Sequence, residues 1–180
     1  MNVFQFLRSH KQFTLFLALA LLVVGVAIFA PVLAPMDPLE AHMSDSLHAP
    51  DSRYLCGADK LGRDVLSRVI YGTRTSLTMT LCLVAVIFVA GTMLGVLAGY
   101  FGGIVDGVIM RVADMMISFP GLVLAIAIAG LLGPNMVNAV IAISAVSWTK
   151  YARLARSMVL KIKGNLYIEA AVVTGTRTLD

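Results

Sequence analysis

A short segment near the end of the chain, residues 169–175, has the residue types of a contact surface. Glu169 places one charge at the start of a predicted helix, and Ala170 and Ala171 leave room for another surface to approach closely. Gly175 follows at a spacing where a glycine can adopt the left-handed conformation that ends a helix. The pattern predicts either an ordinary helix C-terminus or a binding surface, and we expect no covalent chemistry from it.

Charged residues also cluster in a polar stretch between residues 56 and 68. Asp59 and Asp64 lie beside Arg63 and Arg68, at spacings where carboxylates cap helices or pair with guanidinium groups. The apolar residues that follow have the spacing of one face of an amphipathic helix, and this predicted helix leads into the next apolar run. These features favour a surface helix at the membrane interface over a catalytic site.

Two opposite charges, Arg111 and Asp114, lie three residues apart beside an apolar run and can share one side of a helix. Charges close to the membrane interior are costly, so they usually neutralise each other or serve a function. We predict an ion pair between Arg111 and Asp114 that organises a helix end, in preference to a contact with substrate.

Residues suited to catalysis or metal binding are sparse. The three histidines, His10, His42 and His48, lie outside the apolar runs, which counts against an intramembrane enzyme. Cys56 and Cys82 give no disulfide framework and are expected to be free thiols. The scattered methionines are typical of core and lipid-facing positions, so we predict no metal site, no cofactor and no catalytic residue.

The composition is that of a membrane protein. Of the 180 residues, 59% are hydrophobic and 13% are charged, whereas soluble domains have roughly 45–50% apolar and about 25% charged residues. The net charge of +4 is better explained by basic cytoplasmic flanks than by nucleic-acid binding, because the basic residues are not interleaved with aromatic ones. The lipid bilayer is therefore an expected partner, and nucleic acid is not.

The apolar runs predict an all-α, polytopic transmembrane helical bundle. We predict about four spans, at residues 13–34, 77–98 and 115–132, with a fourth that begins at 136–148 and runs on toward Arg153. Basic residues precede the first run, as in a signal peptide, but the run is long enough to cross the bilayer and is predicted to remain as an anchor. Residues 1–76 would then form the anchor and an outer loop, and residues 77–180 would begin the transmembrane domain.

Glycines recur every four residues along one face of the second predicted span, at Gly91, Gly95 and Gly99. Small residues at this spacing allow the backbone of another helix to approach closely within a membrane. The repeat therefore predicts a helix-packing face, not the lining of a pore.

Three of these patterns resemble the permease subunits of binding-protein-dependent ABC importers for dipeptides, oligopeptides and nickel. The longest lies in the polar loop, at Gly57, Asp59, Leu61, Gly62, Arg63, Asp64, Ser67, Arg68, Gly72, Arg74, Ser76 and Leu77. Ala58 departs from it, since the family usually has threonine there. The second runs over residues 106–120, with Asp106, Arg111, Asp114 and Phe119-Pro120, and residues 169–175 resemble the family's signature loop.

The resemblance implies a permease that forms part of the translocation path for peptides or nickel. It implies a second permease subunit, ATP-binding subunits that hydrolyse ATP, and an extracytoplasmic substrate-binding protein as partners. Glu169, Ala170, Ala171 and Gly175 would be coupling residues that contact an ATP-binding subunit. A non-transporting membrane assembly protein and an intramembrane enzyme are the alternatives.

The resemblance also implies further spans, because the family's permease domain continues past the Glu-Ala-Ala loop. We therefore expect the 180-residue chain to be incomplete and unable to transport by itself. We also expect the glycine face of the second span to have no packing partner within this sequence.

The distribution of basic residues predicts the orientation. With four spans, nine lysines and arginines lie on the side of the termini and five lie in the first loop. Because basic residues are enriched on the cytoplasmic side, both termini are predicted to be cytoplasmic and residues 36–75 to be outside. We expect a multi-pass protein of a bacterial or archaeal plasma (inner) membrane.

Overall fold

The computed structural model describes residues 10–166, 168 and 174. Within them the chain is all-α, as predicted, with one isolated β-bridge between Ala58 and Asp64 and no strand. The helices, with one 3₁₀ turn at Met43–Asp45, are α1 (Lys11–Ile28), α2 (Ala30–Leu33), α3 (Val65–Phe101), α4 (Gly103–Ser118), α5 (Gly121–Leu132) and α6 (Met136–Lys163).

Two of the described helices, α1 and α3, are long and apolar enough to cross a membrane. At about 1.5 Å per residue, the 18 residues of α1 and the 37 residues of α3 extend roughly 27 Å and 55 Å, against a hydrocarbon core of about 30 Å. Helices α4 and α5 pass the same test together as one bent pair. By length and composition, the described residues therefore contain two candidate spans, or three if the bent pair is one span, and the predicted number of four is not confirmed.

The third predicted span, residues 115–132, is not a continuous helix. Helix α4 ends at Ser118, and α5 begins at Gly121 after a bend of 93°. Proline lacks an amide hydrogen and disfavours helical conformation in the residue before it. Phe119 is accordingly extended and Pro120 becomes the N-cap of α5, so the Phe119-Pro120 pair divides the apolar run into two helices.

The fourth predicted span begins a longer helix, α6. Asn135 caps its start by accepting a hydrogen bond from the backbone N–H of Val137 at 2.9 Å. Asn138 donates from its side chain to the carbonyl of Leu132 at 2.7 Å, which closes the turn around Gly133. Helix α5 packs against α6, while the second half of α6 continues beyond the apolar run and carries the basic residues.

The described chain forms two compact units, Met1–Thr80 and Leu81–Asp180, which divide within α3. The first contains α1 and the polar loop, and the second contains the end of α3 with α4, α5 and α6. Most large apolar side chains on the helices are exposed, and Ala27 is the buried residue of α1. Such extensive apolar exposure is typical of surfaces that lie against lipid or another protein.

Candidate functional site

The predicted coupling residues, Glu169, Ala170, Ala171 and Gly175, lie outside the described residues. The nearest described helix is α6, which ends at Lys163, six residues before Glu169. Helix α6 is therefore the described helix that leads toward these residues.

The glycine face of α3 lies directly against α6. All three glycines of the predicted face take part, namely Gly91, Gly95 and Gly99. A Cβ atom added at Gly95 would lie 2.3 Å from the carbonyl oxygen of Ala152, and one at Gly99 would lie 2.8 Å from Cβ of Val159. The expectation that this face lacks a partner is wrong, because α6 fills it.

Small and polar residues of α6 make this close approach feasible. Ala152 is fully buried, and Thr149 is buried with its hydroxyl donating to the carbonyl of Val146 in the preceding turn at 3.1 Å. Tyr151 packs edge-on against Phe88 of α3, with ring centroids 6.4 Å apart. In a membrane, where water does not drive helices together, such backbone proximity is a main source of association.

Charged side chains join α6 to α4 at two points. Arg156 donates from both Nε and Nη2 to the two carboxylate oxygens of Asp106, and Arg153 donates to Asp114. The Asp106–Arg156 pair is half-buried, with side chains 20% and 33% exposed, whereas Asp114 and Arg153 are 61% and 46% exposed. The first pair is therefore the better shielded from solvent and the more restrictive in geometry.

The predicted ion pair between Arg111 and Asp114 is wrong. Asp114 pairs with Arg153, and among the described residues no ion pair includes Arg111. Arg111 borders an open groove along α4 with Ile104, Val108 and other apolar residues. Three-residue spacing made the intrahelical pair feasible, but it could not show that Asp114 faces a neighbouring helix.

A third polar contact holds the end of α6. Lys163 donates from Nζ to the carbonyl oxygen of Tyr100 at 2.9 Å and lies 5.8 Å from the centre of the Tyr100 ring. Carbonyls in the last turn of a helix have no partner within the helix, so a lysine is well suited to bind one. The end of α6 therefore lies beside the end of α3.

Sequence reasoning treated Arg153, Arg156 and Lys163 only as basic flanking residues. The sequence contains a weak signal for these pairs. Asp106 and Asp114 are separated by about two helical turns of α4, so they lie on similar sides of it, and a later helix carries arginines that could pair with them. Pairing them required knowledge of how α4 packs on α6, which the spacing within either helix does not contain.

The family-like loop of the first unit is organised around Asp59. Its carboxylate accepts hydrogen bonds from the backbone N–H groups of Leu61 and Arg63, and it pairs with the guanidinium groups of Arg63 and Arg68, each at 2.8 Å. The hydrogen bond from Arg63 is the main cause that lowers the pKa of Asp59 from 3.8 to about 2. Asp59 is therefore ionised throughout the physiological range.

Asp64 caps the start of α3. Its Oδ2 accepts from the backbone N–H of Ser67 at 2.8 Å and from the Ser67 hydroxyl at 2.6 Å, and both residues are buried. The Ser67 hydroxyl in turn accepts from the backbone N–H of Met36 at 3.0 Å. This chain of hydrogen bonds joins the segment after α2 to the first turn of α3.

Two glycines of the loop pattern have backbones that other residues rarely adopt. Gly57 has φ of 75° and Gly62 has φ of 72°. A Cβ atom on Gly62 would lie 1.7 Å from the carbonyl oxygen of His42, and one on Gly57 would lie 2.8 Å from that of His48. The family-like positions of this loop thus maintain a compact backbone, and none of these contacts indicates catalysis.

Residues 91–180 match the family described as binding-protein-dependent transport system inner membrane component. The chain is 36% identical to the dipeptide transport system permease protein DppC of Haemophilus influenzae, over 97% of this chain and 61% of that protein. It is 43% identical to the di/tripeptide transport system permease protein DppC of Pseudomonas aeruginosa, over 88% of this chain and 54% of that protein.

The nickel transport system permease protein NikC of Escherichia coli K12 is 34% identical, over 94% of this chain and 61% of that protein. The chain thus spans between about half and three fifths of the length of these relatives. The family match covers half of the sequence and includes the glycine face, the acids of α4 and all of α6. The chain therefore belongs to the family of binding-protein-dependent transport system inner membrane components.

Proposed function

We propose that the chain is part of a permease subunit of an ABC importer for short peptides or nickel. The observation that carries this proposal is the similarity to a dipeptide permease along 97% of the chain. Its apolar helices would form part of the translocation path through the plasma membrane. On this proposal, ATP is hydrolysed by separate subunits and the chain itself is not an enzyme.

The proposed partners are a second permease subunit, ATP-binding subunits and an extracytoplasmic substrate-binding protein. The family description, a transport component that depends on a binding protein, supports the last of these. The exposed apolar side chains of the described helices supply surfaces that lipid and a second permease could cover.

The proposed orientation has a cytoplasmic N-terminus. If α1 and α3 each cross the membrane once, the end of α3 returns to the side where α1 begins. Lys163 contacts the carbonyl of Tyr100, so the basic end of α6 would lie on that same side. Because basic residues concentrate on the cytoplasmic side, this contact supports a cytoplasmic position for the segment after α6.

We propose that Glu169, Ala170, Ala171 and Gly175 form the contact with an ATP-binding subunit. Glu169 would supply a charged contact, the alanines a closely packed face, and Gly175 the turn that follows. Glu169→Lys reverses the charge, and Gly175→Val introduces a β-branched residue that disfavours a left-handed backbone. Both variants should reach the membrane in normal amounts and lose transport.

The function is tested by uptake of labelled dipeptide and of nickel in cells whose gene for this subunit has been deleted. The gene on a plasmid should restore uptake of one of the two substrates, and the Glu169→Lys variant should not. Equal uptake with and without the gene would contradict the proposed function. Full uptake with both the Glu169→Lys and Gly175→Val variants, at normal subunit levels, would contradict the coupling role alone.

A further inference from the structure

Within the second unit, Arg156 of α6 contacts both α3 and α4. Its carbonyl oxygen would lie 3.1 Å from a Cβ atom on Gly99 of α3. Its guanidinium group bonds both carboxylate oxygens of Asp106 on α4. The backbone of Arg156 thus lies close against α3, while its side chain is bonded to α4.

The two ion pairs between α4 and α6 differ in what they can constrain. The bidentate ion pair between Arg156 and Asp106 fixes the orientation of the guanidinium plane. Both side chains of this pair are partly shielded from water. Asp114 and Arg153 are joined through one nitrogen and are largely exposed, and exposed pairs usually contribute little to stability. The second pair is therefore a natural internal control for the first.

We propose that Asp106 and Arg156 are positioning residues that make α3, α4 and α6 move as one body. This proposal rests on the proposed function, in which an ATP-binding subunit moves the segment after α6. A displacement at one end reaches the spans only through elements that do not slide past each other. The Asp106–Arg156 pair and the glycine contact prevent α6 from rotating or sliding on its neighbours.

The test measures substrate uptake and ATP hydrolysis in the same proteoliposomes, which contain the subunit with its partner permease, ATP-binding subunits and binding protein. Asp106→Asn and Arg156→Gln should retain ATP hydrolysis while substrate transported per ATP falls roughly 5-fold or more, the lower range of typical coupling effects. The matched controls Asp114→Asn and Arg153→Gln should leave this ratio unchanged.

Two further variants separate positioning from folding. Arg156→Lys keeps the charge and loses the bidentate contact. This variant should assemble normally and give an intermediate ratio of substrate transported to ATP hydrolysed. Exchanging the charges, with Asp106→Arg and Arg156→Asp in one chain, should recover part of the ratio lost in the single variants. These measurements keep the test valid where a single variant fails to assemble.

An unchanged ratio of transport to ATP hydrolysis in Asp106→Asn, Arg156→Gln and Arg156→Lys would overturn the proposal. It would also be overturned if Arg156→Lys and the charge exchange, like the single variants, only reduced the amount of assembled complex, because that result shows a structural role without coupling. If the wild-type complex transports nothing, the proposed function fails and this inference fails with it. That outcome is distinguishable, because the wild type and all variants would then behave alike.

Discussion

Gly95 of α3 lies so close to Ala152 of α6 that a methyl group at Gly95 would approach the Ala152 carbonyl oxygen to 2.3 Å. The obstacle is backbone, so it cannot move aside as a flexible side chain would. A change as small as Gly95→Ala should therefore separate α3 from α6.

The matched control for Gly95→Ala is Gly107→Ala in α4, where an added Cβ meets nothing within 4 Å. Overpacking at Gly95 should lower stability by about 1–3 kcal/mol, whereas at Gly107 alanine should be neutral or stabilising by about 0.5–1 kcal/mol. Thermal unfolding of the purified subunit in detergent measures both. Equal thermal unfolding midpoints for the two variants would show that α6 does not pack against the glycine face.

A second prediction concerns the loop of the first unit. Gly62→Ala should open it, because a left-handed backbone costs an L-residue roughly 1–2 kcal/mol and the new methyl would lie 1.7 Å from the His42 carbonyl oxygen. Gly72→Ala is the control, since an added Cβ there meets nothing within 4 Å. Trypsin cleavage of the loop should accelerate in Gly62→Ala only, and equal cleavage rates in both variants would refute the prediction.

The features that could be predicted from sequence depend on spacing within one element. Asp59 pairs with Arg63 four residues away, and the recurrence of Gly91, Gly95 and Gly99 marks a helix-packing face. A compact loop and all-α helices follow from the same short-range patterns. These features share a physical origin, because the interacting atoms belong to residues that the local backbone brings together.

The features that could not be predicted depend on residues far apart in the chain. The three-residue spacing predicts a pair between Asp114 and Arg111, but Asp114 pairs with Arg153, which is 39 residues away. The packing of α6 on α3 also could not be predicted, because hydrophobic periodicity within a helix does not show which other helix packs against it. A proline that interrupts the apolar run predicts a break at Pro120, but the residue spacing does not predict its 93° angle.

A third prediction concerns acid stability of the loop. Arg63 lowers the pKa of Asp59 in the folded state to about 2, below its ordinary value of 3.8. The folded state therefore favours the carboxylate, and this stabilisation is fully present above about pH 4 and is lost as the pH falls toward 2. Resistance of the loop to an acid-active protease should decrease across this range in the wild type.

The control for that prediction is Asp59→Asn, which cannot ionise at this position. The variant should have a less protected loop at neutral pH and a weaker dependence on pH between about 4 and 2. An identical pH profile in Asp59→Asn and the wild type would show that Asp59 does not determine the acid sensitivity of the loop.

A fourth prediction concerns orientation and uses the two cysteines as probe and control. Cys56 is exposed in the polar loop, whereas Cys82 is exposed on the apolar part of α3, where lipid should cover it. In cells whose outer layers have been removed and whose plasma membrane is closed, a membrane-impermeant thiol reagent should label a Cys82→Ser variant at Cys56. It should not label a Cys56→Ser variant. Labelling of Cys56 only after the plasma membrane is opened would reverse the proposed orientation.

The most direct measurement of the central proposal is ATP-dependent uptake into proteoliposomes that contain the subunit as its gene encodes it. The partner permease, ATP-binding subunits and binding protein are supplied, with labelled dipeptide and nickel tested in parallel. The predicted result is accumulation of one of these substrates that requires ATP, the binding protein and this subunit together. Accumulation that is unchanged when this subunit is omitted, or that is absent for both substrates, would contradict its assignment as a transport permease.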